Sequence, residues 1–283
     1  MPGNLALLAG NYDYRLVTLS VLIAMLASYA ALDLAGRVTA ARGRVRFVWL
    51  TGGAGAMGLG IWSMHYIGML AYSLPVRVLY NWPTVLLSLL AAIFASGVAL
   101  FVVSRRVVAP LRAGLGGVVM GIGIAAMHYI GMEAMRMPAM CHYSRPIVIL
   151  SVLLAIVISL VALWLTFYLR EENGVAWRRK LASAIVMGAA IPIMHYTGMA
   201  AVTYTPMGSG ASDLAHSVEI SELGIASIIV VTFMVLGLTI LTSLVDRRFS
   251  AQSRALSLSE QRFRQLVESA QVVLWRTSLW LGC

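Results

Sequence analysis

His65 and Met69, His128 and Met132, and His195 and Met199 are each four residues apart. That spacing puts two side chains on one face of a helix, one turn apart. Each pair therefore offers an imidazole and a thioether to a common point. Thioether sulfur is soft and selects copper, Cu(I) above all, over Mg, Ca or Mn, and imidazole suits copper as well. The pairs sit in a stretch that occurs three times: Met57-Gly-Leu-Gly-Ile-Trp-Ser-Met-His65-Tyr-Ile-Gly-Met69, Met120-Gly-Ile-Gly-Ile-Ala-Ala-Met-His128-Tyr-Ile-Gly-Met132 and Met187-Gly-Ala-Ala-Ile-Pro-Ile-Met-His195-Tyr-Thr-Gly-Met199. The flanking positions diverge: Trp62 gives way to Ala125 and Pro192, and Ser63 to Ala126 and Ile193. The His, Tyr, Gly and Met do not change. An ionisable residue kept inside a membrane is a functional candidate by default.

Met64, Met127 and Met194 directly precede the histidines and point about 100° away from them, toward a neighbouring helix. Met57, Met120 and Met187 lie eight residues earlier, about 12 Å deeper along the axis. They are packing residues or a second, deeper site. Tyr66, Tyr129 and Tyr196 follow the histidines, near an interface where amphipathic rings are favoured. If the three helices are neighbours, the three His–Met pairs converge on one or two metal ions. Haem ligation by paired histidines with an axial methionine and plain helix packing are the alternatives for the same residues.

The elements that must position these residues are membrane helices. The 283 residues are 60% hydrophobic and only 11% charged, where soluble domains carry about a quarter charged. The apolar blocks have the length of about 20 residues that spans a bilayer as a helix. Seven spans follow, at about 16–34, 47–72, 83–104, 113–132, 147–169, 181–203 and 223–245. The first 14 residues hold no Lys or Arg, and no small-residue cleavage site follows the first block. It reads as a mature helix, not a signal peptide.

The net charge of +10 is a matter of place and not a nucleic-acid signal. Fourteen basic residues fall after the odd-numbered spans, among them Arg42, Arg44, Arg46, Arg178, Arg179 and Lys180. Only Arg15, Arg77, Arg136 and Arg145 fall on the other side. Basic loops stay cytoplasmic, which predicts an outer N-terminus, a cytoplasmic C-terminus, and all three motifs near the outer face. The expected fold is all-α integral membrane: seven helices, as three two-helix repeats plus one. The glycine- and alanine-rich motif helices are expected inside, since small residues allow close backbone approach in lipid, with the Leu-, Val- and Ile-rich helices facing lipid.

Other polar residues are weaker candidates. Asp33 stands four before Arg37, an ion pair at the inner edge. Glu133 follows Met132 and is either a ligand carboxylate or an interface residue. Met135, Met137, Met140, Cys141 and His142 form a soft-ligand cluster, a capture site for Cu(I) or apolar filling. Asp213, His216, Glu219 and Glu222 read as a solvated outer loop, and Pro192 as a kink in the sixth span. Residues 246–258 read as a cytoplasmic linker. The stretch from Ser259 is amphipathic, with Phe263, Leu266 and Val267 on one side, and is too short to bury a soluble core.

The thrice-repeated Met-His-Tyr-x-Gly-Met resembles the MHYT domain family of bacterial membrane sensors over residues 12–245. Ile67 and Ile130 stand where Thr197 has the family's namesake threonine. The resemblance implies a sensor of oxygen, CO or NO through protein-bound copper in the bacterial inner membrane. Carried over by position, the candidate ligands are Met64, His65, Met69, Met127, His128, Met132, Met194, His195 and Met199. Such sensors are often followed by PAS domains and by GGDEF or EAL modules that make or break cyclic di-GMP. Residues 259–283 are similar to the beginning of a PAS domain, and no GGDEF or EAL motif occurs in the chain. The expected role is thus a signal-input module with no catalytic constellation of its own, bound to lipid and open to homodimer formation. The competing readings are a copper-handling or transport protein, for which the spans offer few polar residues at mid-depth, and a haem-binding membrane protein.

Overall fold

The computed structural model describes residues 7–105, 110–169, 177–206 and 216–218, then 229, 232–233, 236–237, 240, 251–252, 255–265 and 267. Six long helices carry the architecture: α1 (Tyr14–Ala40), α2 (Gly43–Leu70), α3 (Trp82–Val103), α4 (Pro110–Glu133), α5 (Arg145–Leu169) and α6 (Trp177–Ala200). All but α2 are long and apolar enough to cross a membrane. The 28-residue α2 is long enough too. The protein is a multi-pass membrane protein. Most of the expected seventh span lies outside the described residues.

Local chemistry sets the helix starts. Asp13 caps α1, its carboxylate accepting from the Arg15 backbone N–H at 2.8 Å. Asn81 caps α3 through the Thr84 N–H at 3.2 Å, and Pro83 follows in the first turn, where its missing N–H costs nothing. The turn from α1 to α2 passes through Gly43 at φ +57°, a left-handed conformation that side chains disfavour. Pro192 is accommodated within α6, where it has no N–H to offer the Gly188 carbonyl.

The helices close into a ring in which each packs on its neighbours and α6 returns to α1. Glycines mark the tightest contacts. A Cβ on Gly58 of α2 would run into the backbone of Ile93 on α3, one on Gly121 of α4 into Ile156 on α5, and one on Gly188 of α6 into Met25 on α1. In this ring α6 packs on α1, and the expected pairing of the sixth span with the seventh lies mostly outside the described residues. The expected inner and outer classes hold in part: α4 is well buried and α5 mostly exposed, but the motif helix α6 is little more buried than α3, and α1 is half buried.

Short strands occupy the end of the bundle that carries the motifs, where plain loops were expected. β1 (Asn11–Tyr12) pairs with β2 (Tyr72–Ser73). β3 (Leu79–Asn81) lies between β4 (Met135–Arg136) and β7 (Ser217–Val218). β5 (Ala139–Tyr143) pairs antiparallel with β6 (Val202–Pro206). At the opposite end Asp33 joins Arg37 at 2.9 Å and Lys180 of α6 at 2.6 Å, so the expected i,i+4 pair is a three-way clamp between helices. Residues 238–283 form a separate unit. There, 255–265 is helical and exposed, with Arg264 and Glu260 paired at 2.9 Å.

Candidate metal centre

Each histidine sits five residues from the strand end of its helix, on α2, α4 and α6. All three are fully buried. Their Nδ1 atoms form a nearly equilateral triangle: 3.0 Å from His65 to His195, 3.1 Å from His128 to His65 and 3.2 Å from His195 to His128. The rings stand almost perpendicular to one another, at 76°, 84° and 87°.

Hydrogen bonding alone cannot satisfy this triangle. A neutral imidazole nitrogen either donates its one proton or accepts with its one lone pair. With three Nδ1 atoms in mutual contact, at least one edge opposes two lone pairs or two protons. A cation at the centre removes the conflict, because all three lone pairs then point at positive charge. A point equidistant from nitrogens at these separations lies about 1.8 Å from each, close to the metal–imidazole distance of about 2.0 Å. The residues therefore fit a metal ion. Among the His, Cys, Asp and Glu side chains of the described residues, these three form the group that could hold one. Imidazole alone suits several metals, copper and zinc among them.

The motif glycines set the ring orientation. Nε2 of His65 lies against Gly131, Nε2 of His128 against Gly198, and Nε2 of His195 against Gly68, each closer than a Cβ at the glycine would allow. The relation is cyclic: each histidine leans on the glycine of the next motif helix. None of the three Nε2 atoms has a hydrogen-bond partner among the described residues. Each Nδ1 therefore faces the axis while each Nε2 is pressed against a neighbouring backbone.

The six motif methionines are buried in the same region. Met69, Met127, Met132, Met194 and Met199 belong to the main hydrophobic core, and Met64 packs with Ile23, Ala24 and Ile67. What converges on the axis is the imidazole Nδ1 set. Met57, Met120 and Met187 meet deeper, around one small cavity. The Met140, Cys141 and His142 cluster lies on β5, whose alternation sends Cys141 to the opposite side from its neighbours. His142 bonds the Thr205 hydroxyl at 2.9 Å, and Met137 is buried. Of the outer loop residues, His216 is described, at φ 62°; Asp213, Glu219 and Glu222 lie outside the described residues.

A further set of residues carries no motif label. Ser20, Ser88 and Ser151 stand 68 and 63 residues apart on α1, α3 and α5. Ser20 pairs with the Tyr196 hydroxyl at 3.0 Å, Ser151 pairs with that of Tyr129, and Ser88 accepts from the Trp62 indole at 3.0 Å. Tyr66 is the exception: it stacks on Trp62, which has taken its serine. The 63-residue step from Ser88 to Ser151 equals that from His65 to His128 and was the signal that could have found these two.

Over the centre, the strand end is rich in tyrosine. Burial, with Tyr72 and Tyr196 beside it, pushes the Tyr12 hydroxyl up to about 12. Burial likewise raises Tyr80 and Tyr204. These phenols keep their protons at physiological pH.

The sequence comparisons agree with this geometry. The profile described as "Bacterial signalling protein N terminal repeat", MHYT, matches residues 5–48, 58–116, 121–177 and 188–253. The chain belongs to the MHYT family. Three MHYT stretches open directly after Met57, Met120 and Met187, while 5–48 covers β1 and α1 without a motif. The first stretch thus covers a helix without the motif, while the last runs from the α6 motif through the residues expected as the seventh span. The chain is 43% identical over 265 residues to the bifunctional diguanylate cyclase/cyclic di-GMP phosphodiesterase MucR of Pseudomonas aeruginosa, covering 93% of this chain and 38% of that protein. It is 36% identical to the signaling protein YkoW of Bacillus subtilis, over 91% of this chain and 32% of the relative. It is 38% identical to the cyclic di-GMP phosphodiesterase NbdA of P. aeruginosa, over 76% and 27%. The chain thus spans about a third of the length of these MHYT relatives. No solved structure matches it.

Proposed function

We propose that this chain is a signal-input module of the bacterial inner membrane. It senses a diatomic gas (oxygen, CO or NO) or redox state through copper held by His65, His128 and His195 near the outer face. The observation that carries this reading is the triangle of three buried Nδ1 atoms about 3 Å apart. Three imidazoles leave a coordination position open, as sites that bind exogenous ligands require. Met69, Met132 and Met199, one turn on, and Met64, Met127 and Met194 are the neighbouring soft donors. Copper, when bound, would supply redox chemistry and affinity for small ligands. The protein's own part is to hold the imidazoles, exclude water and register a change at the site in helix packing. The chain itself is not an enzyme in this reading.

The orientation follows from the basic residues, which cluster at the end of the bundle opposite the strands. The output is cyclic di-GMP turnover by PAS-, GGDEF- or EAL-type domains of a longer protein, as the cyclic di-GMP activities named for MucR and NbdA support. Copper transport is the weaker reading. Beneath the triad the small cavity is lined by Met57, Met120 and Met187 with alanine and other mostly apolar residues, and these described residues offer no chain of ionisable groups to carry an ion. A haem is disfavoured because nitrogens 3 Å apart leave no room for a porphyrin between them.

The test is elemental analysis of protein purified in detergent, beside a variant with all three histidines changed to Ala. One copper per chain, lost in a variant of unchanged helix content, is expected. Zinc in place of copper under anaerobic Cu(I) loading, or no metal in either protein, overturns the reading.

A further inference from the structure

About two turns below the histidines, the six helices leave a cavity of about 30 Å³. Met57, Met120 and Met187 border it, one from each motif helix. Ala31, Ala99 and Ala162 border it from α1, α3 and α5. These alanines stand 68 and 63 residues apart, the spacing of the three serines above. The cavity is therefore ringed by equivalent positions of all three helix pairs and lies on the axis of the ring. All its lining residues are buried.

Three features say what it holds. First, it is large enough for a water, which needs about 10–15 Å³, but a water also needs two or more polar partners. The one hydroxyl in the lining, Thr166, already donates to the Ala162 carbonyl at 2.6 Å. Second, no acidic or basic group lines it, and an unpaired charge in such surroundings is strongly disfavoured. Third, methionine is the side chain best able to fill an irregular gap. A void bordered by three of them is not the result of one stiff residue failing to fit. Dry apolar cavities accept apolar guests such as xenon, and polarizable sulfur strengthens dispersion contact with such a guest.

We infer that this thioether-ringed cavity is a docking site for one small apolar molecule of xenon or diatomic size. Such a guest partitions into the bilayer core and reaches the site from the lipid. Its occupancy stabilises the packed ring by mass action. The site is separate from the histidine centre and needs no metal there.

The test uses the full chain in lipid nanodiscs, stripped of metal by chelation, with xenon as the probe and ¹²⁹Xe NMR as the readout. A saturable bound-xenon signal is expected. Ala99→Leu, which fills the void, weakens it about tenfold or more, and the smaller Ala162→Val about threefold, as expected when the guest's volume is taken by side chain. Leu90→Phe on the exposed side of α3 leaves it unchanged. Replacing Met57, Met120 and Met187 together by Leu keeps the lining apolar and keeps xenon binding within about threefold. Helix content by circular dichroism confirms that each variant is folded. A xenon signal that neither filled variant changes would reduce the observation to partition into lipid and overturn the inference. So would one tight equivalent of Ag(I), abolished by the triple Leu variant, since the ring would then be a soft-metal site. Because the protein is free of copper throughout, failure of the copper reading does not alter either outcome.

Discussion

The hydroxyl of Thr232 donates to that of Ser63 at 2.7 Å, and both residues are buried. Ser63 lies two residues before His65 on α2, while Thr232 belongs to the stretch expected as the seventh span. Nearby, Ile229 packs against the cluster of Ile23, Ala24, Met64 and Ile67. Thr232 is thus tied to the motif helix two residues from His65. Buried hydroxyl pairs between membrane helices contribute about 0.6 kcal/mol, and up to about 1.7 kcal/mol. Thr232→Val and Ser63→Ala should each lower thermal stability in detergent by an amount in this range. The double variant should lose clearly less than the sum. Strict additivity in the double-mutant cycle would mean that the pair is not coupled.

Gly131 meets His65 as Gly198 meets His128 and Gly68 meets His195. A methyl at Gly131 would occupy the place of the imidazole, turning Nδ1 off the axis. Gly131→Ala should therefore lower metal affinity by about 10- to 100-fold, the range for groups that orient metal-bound histidines. Gly114, on the same helix, has open space where its Cβ would go, so Gly114→Ala is the control and should leave affinity unchanged. Equal effects from the two substitutions, measured by competition with a chelator of known affinity, would remove orientation as the role of the motif glycine.

Much of this site could be read from the chain alone because it is written three times. The threefold motif named the histidines, and helical spacing put them at one depth. What was not legible was which atoms converge. An i,i+4 pair says only that His65 and Met69 share a face, and the ring geometry turns Nδ1 of three helices to one point. The role of α1 was hidden for another reason. It carries no motif, so its equivalence to α3 and α5 rests on Ser20 and Ala31, residues too common to draw notice until their partners are known. The strands at the motif end were invisible to hydropathy, since β1, β2 and β4 are two residues long. Their pairing is set by the helices that bring them together.

Asp33 holds two cations, Arg37 on its own helix and Lys180 on α6, with all three side chains mostly buried. Removing the carboxylate takes away the group that both cations share where α1 meets α6, whereas removing either cation leaves the other contact in place. Asp33→Ala should therefore destabilise more than Arg37→Ala or Lys180→Ala. The difference should be about 1–3 kcal/mol, below the cost of breaking a deeply buried pair because the cluster lies near the helix ends. Thermal unfolding of the three variants, followed by the accessibility of a cysteine placed on α1, gives the order. A more severe effect of Arg37→Ala would show that the guanidinium, which also lies over the Trp49 ring, holds the closure instead.

Cys141 on β5 carries the exposed thiol among the described residues. Partial burial, and then the Glu133 carboxylate nearby, hold its pKa above the ordinary thiol value. The thiolate is the reactive form, so at pH 7 alkylation should be slower than for a free thiol. It should climb as the pH rises through and beyond the usual thiol range, with its midpoint shifted upward. Glu133→Gln removes the like charge, which favours the thiolate, so the midpoint should move down and the rate at pH 7 should increase. A Cys283→Ser background isolates the signal to Cys141. If the rate profile were the same with and without the carboxylate, burial alone would set the thiol's reactivity, and Glu133 would have no electrostatic hold on the thiol of β5.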